Sequence, residues 1–250
     1  MLPPPSTVQR WFGLNASQDE KKAFDGECRE NYEHALKSVG PDQMLLPAFE
    51  SHDKDIENAD TISQPLLAEV KEAQKKDAKH GAETLLSIIL LLDQMPRNIY
   101  RDPAGLKAVY NHYDRLALSL LYSSMRLDPS PVEHEGYRIM PIYNGWFILP
   151  LMHSEHIPSH ELWREKMLKW QGELERTHGP GFTKHIENGL GYAEKHLQPL
   201  QRFGRYPHRN EALERRNTKE EEDFLKTADT FGVKQKQTNG DATLHDKSEL

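Results

Sequence analysis

Apolar residues recur at helical spacing along most of the chain, and strict alternation of apolar and polar residues is nearly absent. Ser17 and Glu20 have the spacing of a capping box, which predicts a first helix that ends at Ser38, just before Gly40 and Pro41. The same periodicity predicts further helices at about residues 60–76, 84–95, 102–125, 146–154, 159–176, 183–201 and 218–227.

Glycine and proline separate the predicted helices. Gly81 is expected to end the second helix, and Pro96 to end or kink the third. Asp102 and Pro103 are typical of a helix start, as N-cap and first helical residue. Residues 41–58 are expected to be mostly irregular. Successive helices joined by short breaks favour antiparallel helical hairpins, so the predicted fold class is all-α.

One folded domain is expected. A chain of 250 residues, 36% of them hydrophobic, can bury one substantial core. We predict an N-terminal arm at residues 1–15, a single helical domain at 16–230 and a disordered polar tail at 231–250, where helical periodicity is lost.

Charge and cysteine content limit the partners and the compartment. The net charge of −7 would repel a polyanion, so we do not expect nucleic-acid binding. Cys28 is the single cysteine and is predicted to pack on a helix in a reducing compartment. The longest apolar run, residues 85–92, falls short of the roughly 20 residues that a membrane span requires. No export signal is recognised, and a cytoplasmic protein without a membrane partner is expected.

The first of three polar clusters directly follows that apolar run. It contains Asp93, Gln94, Arg97 and Asn98, whose burial without partners would be costly. One interpretation pairs Asp93 with Arg97 at i,i+4 and has Asn98 bind the backbone. The other directs Arg97 at an anionic ligand.

The second cluster follows the apolar residues 149–152. His153 titrates near neutrality and Glu155 could orient it, so both are candidates for acid–base catalysis. His153 and His156 are three residues apart, whereas the HExxH zinc signature places its histidines four apart, so we predict no metal. Ser154 lacks the G-x-S-x-G elbow of a nucleophile and is predicted to be a cap or turn residue.

The third cluster concentrates positive charge in an acidic protein. It contains Arg202, Arg205, His208, Arg209 and Asn210. Guanidinium groups suit bidentate recognition of carboxylate or phosphate, so the arginines and Asn210 are candidate ligand-binding residues and His208 a candidate catalytic group. Alternatively, the arginines form internal salt bridges with acids such as those of the first two clusters.

These clusters carry a resemblance to a known family. Leu-Asp-Gln-Met-Pro-Arg-Asn-Ile-Tyr-Arg at 92–101, Pro-Leu-Met-His-Ser-Glu at 150–155 and Arg-Phe-Gly-Arg-Tyr-Pro-His-Arg-Asn at 202–210 resemble, in that order, motifs of the domain-of-unknown-function 924 family. Trp11-Phe12-Gly13 is similar to the family's opening, so the resemblance extends over about residues 10–228. It implies an all-helical fold similar to tetratricopeptide hairpins, no established reaction, and a polar site on the residues named above together with Ser154.

Four positions depart from the family's pattern. His156 and His160 differ from the acid and the glutamine that are expected after the His-Ser-Glu motif. Tyr206 stands where the family usually has phenylalanine. Glu214 stands where a glycine normally precedes the arginine that matches Arg215.

Two functions fit these clusters. In the first, the arginines bind a small phosphate- or carboxylate-bearing ligand, and His153, Glu155 or His208 moves protons in a hydrolysis or group transfer. In the second, the protein is a non-catalytic helical-repeat module that binds an acidic peptide or carboxy terminus. A purely structural network would have every arginine paired and no cavity. No cofactor is predicted, and the sequence does not define the oligomeric state.

Overall fold

A computed structural model of the protein describes residues 17–140, 143–179, 184–231 and 233. Helix α1 (Gln18–Ser38) begins at the predicted capping box, in which the Ser17 hydroxyl accepts from the Glu20 N–H and the Glu20 carboxylate accepts from the Ser17 N–H. The helix buries Cys28, as predicted. The predicted arm at residues 1–15 lies outside the described residues.

A short helix forms where an irregular segment is predicted. Helix α2 (His52–Glu57) starts at Ser51, whose side chain accepts from the Lys54 N–H, while the rest of residues 41–58 forms no helix, as predicted for a mostly irregular segment. Arg115 donates two hydrogen bonds of 2.7 and 2.9 Å to the buried Asp55 carboxylate within α2. This ion pair stabilises α2. Arg115 and Asp55 are 60 residues apart, so the local pattern of apolar residues does not predict their contact.

The next helices pack closely around a glycine. Helix α3 (Ala59–Ile62) is separated at Ser63 from α4 (Gln64–Lys76), and α5 (Ala78–Ile89) follows with Asp77 as N-cap. Gly81 lies inside α5 and ends no helix, so that prediction was wrong. A Cβ at Gly81 would lie 2.8 Å from the Cβ of Gln74, and glycine therefore permits the close approach of α4 and α5.

A π-helical turn, rather than a continuous α-helix, follows α5. This turn (Leu90–Gln94) leads into α6 (Met95–Ile99), which carries Pro96 in its first turn. Such turns insert one extra residue, which rotates the following side chains around the helix axis, and they are frequent at functional sites.

A second π-helical turn lies in the following segment. Helix α7 (Pro103–Ala108) begins at the predicted cap, where the Asp102 side chain accepts from the Gly105 N–H. The chain continues through the π turn (Val109–Tyr113) into α8 (Asp114–Met125).

The second half of the described chain contains the four predicted helices, α10 (Asn144–His153), α11 (Ile157–His178), α12 (Lys184–Phe203) and α13 (Lys219–Leu225). A short helix that was not predicted, α9 (Glu135–Arg138), precedes them. A capping box between Thr218 and Glu221 starts α13, as predicted.

The core surrounds α8 and α10, which contact each other and α5. Phe147, Leu116 and Leu120 are fully buried there, and Trp163 and Trp170 of α11 extend the core toward α12. The described residues form helices and no strands, which confirms the all-α class. A tetratricopeptide-like arrangement of the helices stays a prediction. Within the same residues, no helix has the length and apolar character needed to cross a membrane.

Candidate functional site

A cavity with a volume of about 780 Å³ lies between α10, α11 and α12, next to the two π turns. Its size is within the range of small-molecule sites. The walls are largely apolar and include Trp146, Leu149, Met152, Trp163 and Met167. The buried and half-buried polar side chains that line it are those of Gln94, Arg97, His153, His196, His208 and Arg209.

A carboxylate–histidine pair lies at the inner end of this cavity. Asp93, 1% exposed, accepts a hydrogen bond of 2.8 Å at Oδ1 from Nδ1 of His153, the last residue of α10. Gln94 donates to the other oxygen of Asp93 at 2.5 Å. Burial alone would raise the pKa of Asp93, but the His153 ring, the Arg97 guanidinium and these hydrogen bonds hold it below its usual range.

The surroundings of the histidine in this pair favour its neutral form. Burial and the positive charge of Arg97 lower the pKa of His153 and outweigh the opposing effect of Asp93. Since the ionised Asp93 can only accept, Nδ1 of His153 carries the proton and Nε2 carries the lone pair. Nε2 has no hydrogen-bond partner among the described residues, and the ring lines the cavity. The hydrogen bond to Asp93 thus fixes the orientation and the tautomer of the His153 ring.

Two arginines lie beside this pair and share one carboxylate. The Arg97 guanidinium lies 2.8 and 3.0 Å from the two oxygens of Asp114 and donates to the backbone carbonyl of Asp93 at 2.5 Å. Arg209 lies 3.4 Å from Asp114 and donates to the backbone carbonyl of His153 at 2.7 Å. The charges of Asp93 and Asp114 therefore balance those of Arg97 and Arg209.

Arg209 is also held by aromatic rings. Its guanidinium carbon lies 4.4 Å from the ring centroid of Tyr110 and 4.7 Å from that of Tyr206. Burial raises the pKa of both tyrosines, so their rings are uncharged cation–π partners. Tyr110 lies in the second π turn and Asp114 directly follows it, while Asp93 lies in the first. Both interruptions of helical geometry thus position residues of this site.

Further uncharged histidines complete the polar lining. Burial lowers the pKa of His196 to about 3 and that of His208 well below its ordinary value. His196 makes a 2.9 Å hydrogen bond from Nδ1 to the Tyr192 carbonyl, and its ring centroid lies 5.9 Å from that of His153. The Phe231 ring stacks on His196 at 4.0 Å and meets His208 edge-on at 5.3 Å.

Glu155 does not line the cavity. Both of its oxygens accept from Arg215, at 2.7 and 2.8 Å, and Oε1 also accepts from the backbone N–H of Tyr206 at 2.8 Å. Although burial opposes it, this bonding lowers the pKa of Glu155. Glu155 therefore fixes the segment that carries Tyr206. Glu214, before Arg215, has a φ of 56°, in the left-handed region that favours the glycine expected there from the resemblance.

The remaining predicted residues have internal partners and do not line the cavity. Arg202 pairs with Glu220, Arg205 with Glu221, Asn210 with Asn217, and Asn98 with the backbone carbonyl of Gln94. For Arg202 and Arg205, the internal ion pairs that were the alternative to ligand binding are thus present.

The sequence-selected residues that do meet at the cavity are Gln94, Arg97, His153, His208 and Arg209, with Asp93 behind His153. Sequence reasoning did not select Tyr110, Asp114 or Phe231. Asp114 lies in the helical segment that begins at Asp102, and an acid directly before the apolar residues of α8 was the available clue. In the described part of the chain, no group of three or more His, Cys, Asp or Glu side chains could hold a metal ion.

The fold and site define an all-helical protein with a carboxylate–histidine pair at the base of an apolar cavity. The chain belongs to the family described as bacterial protein of unknown function (DUF924), which matches residues 4–229. A solved structure of a protein of unknown function from Agrobacterium tumefaciens is similar over 81% of this chain and 97% of its own, with 24% sequence identity and a TM-score of 0.35. No curated protein matches the chain significantly.

Proposed function

We propose that the protein is an enzyme that hydrolyses, or transfers a group from, a small molecule bound in the cavity, with His153 as the general base. The observation that carries the proposal is the hydrogen bond between Asp93 and His153 Nδ1, because it leaves Nε2 with no partner among the described residues on a side chain that lines the cavity. Most buried histidines in a structural network would have both nitrogens engaged or enclosed.

The neighbouring groups fit this role. Nε2 of His153 would take a proton from water or from an acceptor hydroxyl as that oxygen attacks the substrate, and would return it to the leaving group. Asp93 would stabilise the imidazolium that forms, and Gln94 holds Asp93 in place. Arg97, which is partly exposed at the cavity, would donate to the oxygen on which negative charge develops.

The ion pairs formed by arginines of the third cluster favour an enzyme over a module that binds an acidic peptide. Arg202 and Arg205 each bind a glutamate side chain, so their charges are already compensated. A peptide groove would need arginines that are available to a partner.

A hydrolysis panel tests the proposal. The purified protein would be assayed with p-nitrophenyl esters of acids of increasing chain length and with p-nitrophenyl phosphate. We expect turnover of at least one substrate and a loss of about 10²–10⁴-fold in kcat/KM for His153→Gln, the usual contribution of a general base. Asp93→Asn should lower kcat by a similar factor with little change in KM.

His34→Gln is the matched control, because His34 is exposed on α1 and is not among the cavity residues. It should retain full activity. Turnover that persists in His153→Gln would refute the role of His153, and no turnover of any ester or phosphate would refute hydrolysis of these classes.

A further inference from the structure

The proposed function does not define the substrate. The distribution of charge and apolar surface in the cavity indicates which chemical class of ligand it binds. We propose that the cavity binds an amphipathic anion, with its apolar body against the apolar walls and its anionic end at the mouth on Lys195. The proposal rests on the same cavity as the proposed enzyme but requires no proton transfer.

The walls are suited to an apolar body. Leu149, Phe231 and Val233 line the cavity and are half-buried, and Tyr192, which also lines it, is 45% exposed, so their apolar surfaces are open to a ligand. A ligand that displaces water from such surfaces is stabilised in proportion to the apolar area that it covers, at about 25 cal/mol per Å². A small polar anion such as free phosphate would leave these walls in contact with water.

The inner end of the cavity offers little net attraction for an anion. Arg97 and Arg209 are ion-paired with Asp114, and Asp93 supplies a second negative charge. Since His153 is neutral, this end carries no net charge, and a full negative charge placed there would lose its hydration without compensation. A neutral ester or amide group suits this end better.

The mouth of the cavity has a different charge balance. Lys195 is exposed on α12 and lines the mouth; its amine lies 5.4 Å from the Tyr192 ring centroid and pairs with no carboxylate among the described residues. Arg101 also lines the mouth but is bound to Asp25, and Glu187 contributes one negative charge. Lys195 is therefore the cation that remains available to the end of a ligand.

Glycines keep the space for the apolar body open. A Cβ at Gly145 would meet nothing within 4 Å, and one at Gly189 would make only ordinary contacts of 3.6–3.8 Å with Trp163 and Met167. Both glycines line the cavity. Larger side chains at these positions would be compatible with the backbone and would occupy part of the cavity. They therefore test whether a ligand binds in the cavity without removing any polar group.

The test measures binding of octanoate by isothermal titration calorimetry, with acetate and octylammonium as comparison ligands. Octanoate should bind at least tenfold more tightly than either, because acetate lacks the apolar body and octylammonium carries the opposite charge. Lys195→Gln should weaken octanoate about 2–5-fold, which is the upper part of the range for an exposed ion pair.

The glycine series tests the location. Gly189→Leu should weaken octanoate more than tenfold and Gly189→Ala less, while Gly26→Leu, on exposed α1 with open space around it, should leave the affinity within twofold. Circular dichroism verifies that each variant is folded, and Gly189→Ala remains informative if Gly189→Leu is not.

Each outcome decides the proposal. Equal binding of octanoate and octylammonium would overturn the anionic end, an unchanged affinity in the folded Gly189 variants would overturn the cavity as the site, and no octanoate binding would overturn the ligand class. If octanoate binds but no ester or phosphate is hydrolysed, the result would contradict the proposed enzyme and leave the proposed ligand class standing.

Discussion

Buried neutral histidines should make the protein sensitive to mild acid. Burial lowers the pKa of His160 to about 4 and that of His196 to about 3, against an ordinary value near 6.5. His160 is 4% exposed; its Nε2 bonds to the Ser154 carbonyl at 3.0 Å, and its Nδ1 is buried with no partner. Protonation at Nδ1 would therefore place a charge where nothing compensates it.

The sign and size of the effect follow from these pKa values. Below pH 6.5 the unfolded chain binds protons that the folded chain excludes, so the free energy of unfolding falls as the pH falls from 6.5 toward 4. Between pH 7.5 and 5.5 each such histidine lowers it by about 1.4 kcal/mol, and His160 and His196 together by about 3 kcal/mol. Carboxylates with lowered pKa, such as Glu155, lose their contribution only below their unfolded pKa, so they do not act in this window.

Urea denaturation at pH 7.5 and 5.5 measures this difference. His160→Gln, which can still donate to the Ser154 carbonyl, should reduce the loss of stability by about 1.4 kcal/mol, while His34→Gln on the surface should not change it. The reasoning is refuted if the parent protein is equally stable at both values, or if His160→Gln shows the full loss.

Three further predictions concern stability and can be read from thermal or urea unfolding. Glu214→Gly should stabilise by about 1 kcal/mol, because φ is 56° at this position and the Glu214 ion pair with Lys107 is exposed; destabilisation would contradict this. Arg215→Ala should destabilise by about 2–3 kcal/mol because Glu155 loses both side-chain hydrogen bonds, whereas a change below 0.5 kcal/mol would show that the pair contributes little. Thr218→Ala should cost about 1 kcal/mol and increase hydrogen exchange in α13 alone; unchanged exchange there would contradict the cap.

Features encoded by neighbouring residues could be predicted from the sequence. The capping boxes at Ser17 and Thr218 and the start at Asp102 are formed by residues within a few positions of one another, and all three are present. The prediction at Gly81 was wrong for a tertiary reason, since this glycine permits close packing on Gln74 and ends no helix.

The site was only partly predictable because its geometry depends on distant contacts. The sequence supplied Asp93 and His153, but their pairing joins positions 60 residues apart. It gave no sign of the two π turns, since one inserted residue leaves the apolar pattern nearly unchanged. Glu155 also holds the segment that carries Tyr206, through hydrogen bonds from Arg215 and the Tyr206 backbone. These partners contact Glu155 only in the folded chain.

The end of the domain also depends on contacts between residues that are distant in the sequence. The sequence assigned Phe231 to a polar tail because no helical period continues beyond it. In the fold Phe231 stacks on His196 and lines the cavity together with Val233. The predicted disorder of the tail beyond them lies outside the described residues.

The central claim is that His153 is neutral in the folded protein because of burial and the charge of Arg97, and that Asp93 holds its proton on Nδ1 and leaves a basic Nε2 at the cavity. A pH titration of ¹⁵N-labelled histidine by two-dimensional NMR, with His153→Gln to assign the resonance, measures the tautomer and the pKa directly. The account predicts a His153 ring protonated on Nδ1 with a pKa below 6.5, and loss of that tautomer preference in Asp93→Asn. A ring that is charged at pH 7, or protonated on Nε2 when neutral, would contradict it.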